Sequence, residues 1–164
     1  MCTADMPNSL ADFNVRDPDE AERDLLACCA SRAFARSVAA RRPYRDLAQL
    51  TAAADSAVRA LDWPDVLEAL SAHPRIGERS QEAWSRQEQS GVEDDLRPAL
   101  AEGNRAYEER FGHVYLVCAT GLTGTQMLTK LRDRLDNDEE TERKVVGDEL
   151  AKITCLRMAK LVGA

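Results

Sequence analysis

A histidine stands directly before a proline in Ala72-His73-Pro74-Arg75-Ile76-Gly77-Glu78, and it is one of only two histidines in the 164-residue chain. Proline cannot continue a helix and drives the residue before it out of the helical region, so His73 is expected where a helix ends and the backbone turns. A histidine fixed at such a point can face a pocket. Residues 85 to 89 read Ser-Arg-Gln-Glu-Gln, which sets Ser85, Glu88 and Gln89 at i, i+3 and i+4 on one helix face. That face offers a hydroxyl, a carboxylate and an amide. With His73, these are the groups that a cofactor-free acid–base site for a polar heterocycle requires. Plainer roles stand beside this one: His73 as a helix-terminal cap, and Glu88 as a solvated charge on an amphipathic helix.

Arg157 supplies an independent signal. It lies i+4 from Ile153, i+7 from Leu150 and i−4 from Leu161, so its guanidinium falls on an apolar stripe and needs a partner. An inward-facing charge and a side chain snorkelling past the rim to a surface carboxylate both fit that position. His113 follows Gly112 at a turn and reads as structural or exposed. The acidic run from Asp136 to Glu142 reads as a solvated turn and helix start, where negative charge favours the helix N-terminus.

The elements that must position these groups are helical. Asp17-Pro18-Asp19-Glu20 has the form of an N-cap, a proline at the first helical position and acids in the first turn. The helix that follows is expected to carry Leu25, Leu26, Cys29, Phe34 and Val38 and to stop before Arg42-Pro43. Leu47, Leu50, Ala54, Val58 and Leu61 recur at helical intervals, and a short helix with Val66, Leu67 and Leu70 starts at Asp62-Trp63-Pro64 and runs into His73-Pro74. A helix holds Trp84 to Gln89 with Gly91 placed to cap its end, and another runs from Asp95 to Phe111 and ends at Gly112. Val114-Tyr115-Leu116-Val117-Cys118-Ala119 is the one strand-like stretch; a lone strand has nothing to pair with, so it reads as an extended buried segment or a tight turn between helices. Thr123 or Thr125 caps a helix with Met127, Leu128, Leu131 and Leu135, and the last helix carries Val146, Leu150, Ile153, Leu156 and Leu161. The expectation is an all-α bundle of about seven or more helices in one domain over residues 1–164, with 1–12 as a flexible lead-in.

Composition narrows the partners. With 44% hydrophobic residues the chain can build a core without metal or disulfides, and its five cysteines include no C-x-x-C spacing. A net charge of −7 argues against nucleic acid, and no apolar run has the length of a membrane span. Neither a signal peptide nor a peroxisomal C-terminal tail is seen, so a bacterial cytoplasm is expected.

In their order and spacing these blocks resemble the 2-oxo-4-hydroxy-4-carboxy-5-ureidoimidazoline (OHCU) decarboxylase family, which forms (S)-allantoin at the end of urate breakdown. The resemblance runs through Phe13-Asn14, Cys28-Cys29, Arg42-Pro43, the HPRIGE block at 73–78, S-x-x-E-Q at 85–89, Asn104-x-x-Tyr107, Arg110-Phe111-Gly112, Tyr115 to Gly121, and Glu149-Leu150-x-Lys152-Ile153-x-x-x-Arg157. Ala119-Thr120-Gly121 resembles the bacterial members; the animal enzymes carry Arg after the corresponding Ala, so a ligand contact by that Arg is not carried over.

The resemblance implies an all-α fold, a homodimer, a small ureidoimidazoline substrate, and no cofactor or metal. The substrate's conjugated ring is its own electron sink, so the protein need only position it, desolvate it and move protons. His73, held by Glu88, would handle the hydroxyl proton and then protonate one face of the resulting enol. Ser85 and Gln89 would hold ring or ureido edges, Pro74 would shape the pocket wall, and the backbone of Tyr115, Leu116, Val117, Cys118 and Ala119 would hydrogen-bond the planar ligand. Arg157 would anchor an anionic or carbonyl edge. A catalytically silent helical binding or scaffold protein, and a decarboxylase of a related ureido heterocycle, are the competing readings.

Overall fold

The computed structural model describes residues 7, 9–78 and 83–164, without the side chains of residues 83 and 85. Among the described residues there are nine α-helices and no strand: α1 (Leu10–Val15), α2 (Pro18–Cys28), α3 (Arg32–Ala40), α4 (Leu47–Arg59), α5 (Trp63–Leu70), α6 (Ala83–Glu88), α7 (Arg97–Phe111, preceded by a 3-10 turn at Asp94–Leu96), α8 (Gly124–Arg134) and α9 (Glu139–Leu161). None is long and apolar enough to cross a membrane. The all-α expectation holds. Two compact units divide the chain, Met1–Ala69 with Leu150–Ala164, and Leu70–Glu149.

In the first unit the caps follow the sequence closely. Asp17 accepts from the Asp19 N–H at 3.0 Å with Pro18 at the first helical position, and Asp46 accepts from Gln49 N–H at 2.8 Å to open α4. The helix expected to run from Pro18 to Arg41 is instead two. Cys29 turns extended at the end of α2, and the buried Ser31 accepts the Phe34 N–H at 3.2 Å, so a side-chain cap restarts the chain as α3. This break lets both α2 and α3 bury an apolar side, with Leu25, Cys28, Phe34 and Val38 at 0% exposure. Arg42 donates through Nη1 to the carbonyls of Phe13 (2.7 Å) and Arg16 (2.9 Å), satisfying oxygens at the open end of α1. Asn14 and Tyr44 exchange two backbone–side-chain bonds of 2.9 Å, which with the Arg42 bonds tie the end of α1 to the segment after α3.

The second unit centres on Leu100 and Tyr107 of α7, Tyr115 and Val117 of the connection, and Met127 and Leu131 of α8. Gly112 ends α7 in the left-handed region (φ 80°), its N–H bonded to Glu108 O at 2.8 Å. Thr123 rather than Thr125 caps α8, in a reciprocal capping box with Gln126.

Candidate active site

The turn that follows α5 carries His73. Its N–H bonds to Leu70 O at 3.0 Å, Pro74 holds the next φ, and both residues are half-buried. Gly77 closes the turn at φ +91°, a conformation that strains any residue with a side chain; a Cβ there would also press on Leu100 at 3.2 Å. Three side chains then grip the backbone. Gln89 Oε1 accepts from Gly77 N–H at 3.0 Å, Arg97 Nη1 donates to Gly77 O, and Asn104 Nδ2 donates to Ile76 O at 2.8 Å. Outside, Arg75 makes a bidentate pair with Glu108 at 2.7 and 2.9 Å.

The Gly77–Gln89 bond joins the HPRIGE turn to the end of α6, whose last residue is Glu88, and Glu88 and Gln89 are both half-buried. Gln89 therefore commits one lone pair of its oxygen to the protein and keeps its NH2 group for a ligand. The side chain of Ser85 lies outside the described residues. Gly91 does not cap α6 in the left-handed region as expected. Its own carbonyl accepts the Gly124 N–H at 2.9 Å, and a Cβ would stand 2.3 Å from Leu122 O. Glycine is required there for close backbone approach.

Residues 114–119 form an extended segment outside any regular element, with Tyr115, Leu116, Val117 and Ala119 buried and Cys118 half-buried. Side chains hold it in place of a partner strand. Arg134 Nη1 donates to Leu116 O at 2.6 Å, Glu149 Oε1 accepts from Cys118 N–H at 3.0 Å, and Tyr115 OH donates to Met127 O at 3.0 Å. A ligand meeting this backbone finds the Cys118 N–H already used.

Behind the segment lies a buried ion pair. Arg134 Nε donates to Glu142 Oε2 at 2.9 Å; Tyr107 OH donates to that same oxygen, and Asn137 Nδ2 to Oε1 at 3.0 Å. The guanidinium also sits 4.8 Å from the Tyr115 ring centre and 5.8 Å from that of Tyr107. Burial, reinforced by the bond to Glu142, pushes the Tyr107 hydroxyl far above its usual pKa; burial does the same to Tyr115 against the opposing charge of Arg134. Glu142 has 0% exposure, so the reading of the whole Asp136–Glu142 run as solvated fails at its last residue. The signal was available: Glu142 lies i−4 from Val146 on the stripe that continues to Leu150, and Arg134 lies i+3 from Leu131. Arg97 and Glu149 escaped as binding groups because nothing in their spacing announces a bond to a distant backbone atom.

His113 is half-buried, with Nδ1 3.1 Å from Val114 O and its ring edge-on to Tyr107, in agreement with a structural role. Arg157 belongs to the first unit and is 9% exposed, so it does not snorkel into solvent. Its charge opposes the effect of burial on Cys28, whose thiol is still driven well above its usual range, while burial pushes Cys29 up to about 11. Both thiols are protonated, unreactive core residues. Among the described residues no cluster of three His, Cys, Asp or Glu side chains is arranged to hold a metal ion.

The family model for OHCU decarboxylase matches residues 14–159. The chain is 33% identical over 151 residues to the uric acid degradation bifunctional protein TTL of Arabidopsis thaliana, a match over 85% of this chain and 47% of that protein. The chain thus spans about half of that relative's length. A 2-oxo-4-hydroxy-4-carboxy-5-ureidoimidazoline decarboxylase of Haloferax volcanii is 29% identical over 125 residues, 73% of this chain and 74% of that one. Among solved structures, an OHCU decarboxylase crystallised in the presence of (S)-allantoin superposes with a TM-score of 0.76 at 29% identity, covering 91% of this chain and all (100%) of that one. An (S)-allantoin synthase at 20% identity, with a TM-score of 0.73 over 95% of this chain and 54% of that one, shares the fold.

Proposed function

The chain belongs to the OHCU decarboxylase family, and on that premise we propose that it converts 2-oxo-4-hydroxy-4-carboxy-5-ureidoimidazoline to (S)-allantoin and CO2 in urate breakdown. The observation that carries this reading is the Gly77–Gln89 hydrogen bond, because it ties the turn bearing His73 to the helix end bearing Glu88. An acid–base pair needs its two members on segments fixed to each other.

In the reaction the bond to the carboxylate carbon breaks and its electron pair passes into the conjugated C=N and C=O bonds of the ring. One proton taken up from solvent balances the departing CO2. His73, held by Glu88, handles the hydroxyl proton and delivers a proton to one face of the enol, which sets the S configuration. Pro74 shapes the wall, Ser85 and the Gln89 NH2 group meet oxygen edges of the substrate, and the 115–119 backbone receives its plane. Arg157 is assigned by the family resemblance to anchor an anionic or carbonyl edge; full neutralisation of the leaving carboxylate would retard its loss, so contact with the ureido or ring oxygen suits catalysis better. A homodimer, a bacterial cytoplasmic location, and residues 1–164 acting as one enzyme domain without cofactor belong to the same proposal.

The test is to add the purified protein to freshly generated substrate and follow circular dichroism. Rapid growth of the (S)-allantoin signal, unchanged by chelator, is expected. Racemic product at the spontaneous rate refutes the activity, and loss on chelation restored by metal refutes the cofactor-free mechanism. A single-chain mass by light scattering across micromolar concentrations refutes the dimer.

A further inference from the structure

We propose that Asn104 is a positioning residue for His73, an inference that rests on the assignment of His73 as the proton carrier. The backbone from His73 to Gly77 has little freedom: its start is tied to Leu70 O at 3.0 Å, and Pro74 fixes the next φ. Its far end is gripped at Ile76 O and at both polar backbone groups of Gly77. Of the three gripping side chains, Gln89 neighbours Glu88 in the proposed machinery, and Arg97 is partly exposed and also pairs with Asp94 at 3.0 Å. Asn104 is the buried one, at 2% exposure.

The rest of its surroundings argues against a role in stability alone. Asn104 lies on the inner face of α7, four residues after Leu100, which meets Gly77, and three before Tyr107, whose ring packs edge-on against Tyr115 at 5.4 Å. It therefore stands between the two segments assigned to the substrate. Its Nδ2 is used, yet its Oδ1 has no hydrogen-bond partner among the described residues. A buried carbonyl oxygen without a donor is costly. Replacing Asn104 by leucine would remove that orphan oxygen and create another at Ile76 O, so the effects on folding largely cancel. What does not cancel is the loss of the hook three residues from His73. Displacing a catalytic group by about 1 Å can cost about 100-fold in rate.

Asn104→Leu is expected to lower kcat by about 10–100-fold with KM within about twofold and a melting temperature close to that of the parent. Asn104→Ala removes the donor and the orphan oxygen together without adding bulk or charge, and should lose as much; it serves if the leucine variant folds poorly. A second readout needs no turnover. With two histidines in the chain, proton NMR resolves both rings, and His73→Asn assigns them. The His73 signal and its titration midpoint should move in the Asn104 variants, with His113 little changed. Unaltered kcat, an unmoved His73 signal, or a loss of rate that only tracks the folded fraction overturns the proposal. A parent protein that forms no allantoin refutes the activity instead, and the NMR arm still decides whether Asn104 positions His73.

Discussion

The turn at residues 73–78 and the extended segment at 114–119 both lack regular structure, and different chemistry holds each. The turn is gripped mostly by side chains that are neutral or partly exposed: Gln89, Asn104, Arg97 and the outer Arg75–Glu108 pair. The segment is held by buried charge, with Arg134 bonded to Leu116 O and backed by a Glu142 of 0% exposure. A neutral hook puts less at stake for folding than a buried charge, since losing it leaves a backbone group unsatisfied at about 1–3 kcal/mol. A buried pair adds little over an apolar replacement, but losing one member strands a charge. Substitutions in the turn should therefore be read in rates, and those behind the segment in stability.

The largest effect that tests this division is His73→Asn, expected to lower the rate by roughly 10²–10⁴-fold with helix content and unfolding midpoint intact. Glu88→Gln should lose much of the same factor, and the double variant should fall short of the product. Near-multiplicative losses in steady-state kinetics would show that the two do not act as a unit.

Next comes Glu142→Gln. It leaves the Arg134 guanidinium uncompensated in the core and should cost about 3–5 kcal/mol in urea unfolding. Replacing both partners, Glu142→Leu with Arg134→Met, should recover only the part due to the stranded charge, because Leu116 O and the Tyr107 hydroxyl still lose their partners. An unfolding midpoint unmoved by the single change would dissolve the contrast between the two regions.

Arg157→Lys sharpens the comparison by asking which class a second buried arginine belongs to. If it anchors substrate, the point-like ammonium should raise KM or lower kcat appreciably, because it cannot reproduce the planar fork, while stability changes little. A parent-like kcat/KM with a lowered unfolding midpoint would place Arg157 with Arg134 as a structural charge.

The smallest effect is expected at Arg75→Ala. Its side chain is 50% exposed, and the pair with Glu108 should contribute at most about 1 kcal/mol, less at high salt. Since the backbone grips remain, kcat should stay within about twofold. A loss as large as that of His73→Asn would mean that the outer pair, and not the inner hooks, sets the turn.

Local order dictated much of this molecule before any tertiary contact was considered. Asp17-Pro18, Asp46, Thr123 and Gly112 carry their capping roles in their own chemistry, and His73-Pro74 had to interrupt a helix because proline has no N–H and a fixed φ. Helical periodicity likewise marked Arg157 as a charge on an apolar stripe, and the same rule reaches Glu142 when applied to the stripe through Val146. The split between α2 and α3, the need for glycine at position 91, and the grips of Arg97, Asn104, Arg134 and Glu149 on distant backbone atoms were decided only in three dimensions. Their common cause is that a backbone carbonyl or N–H is the same group at every residue. Sequence spacing says which side chains can share a face, but not which far-off oxygen a guanidinium or amide will meet once the chain has packed.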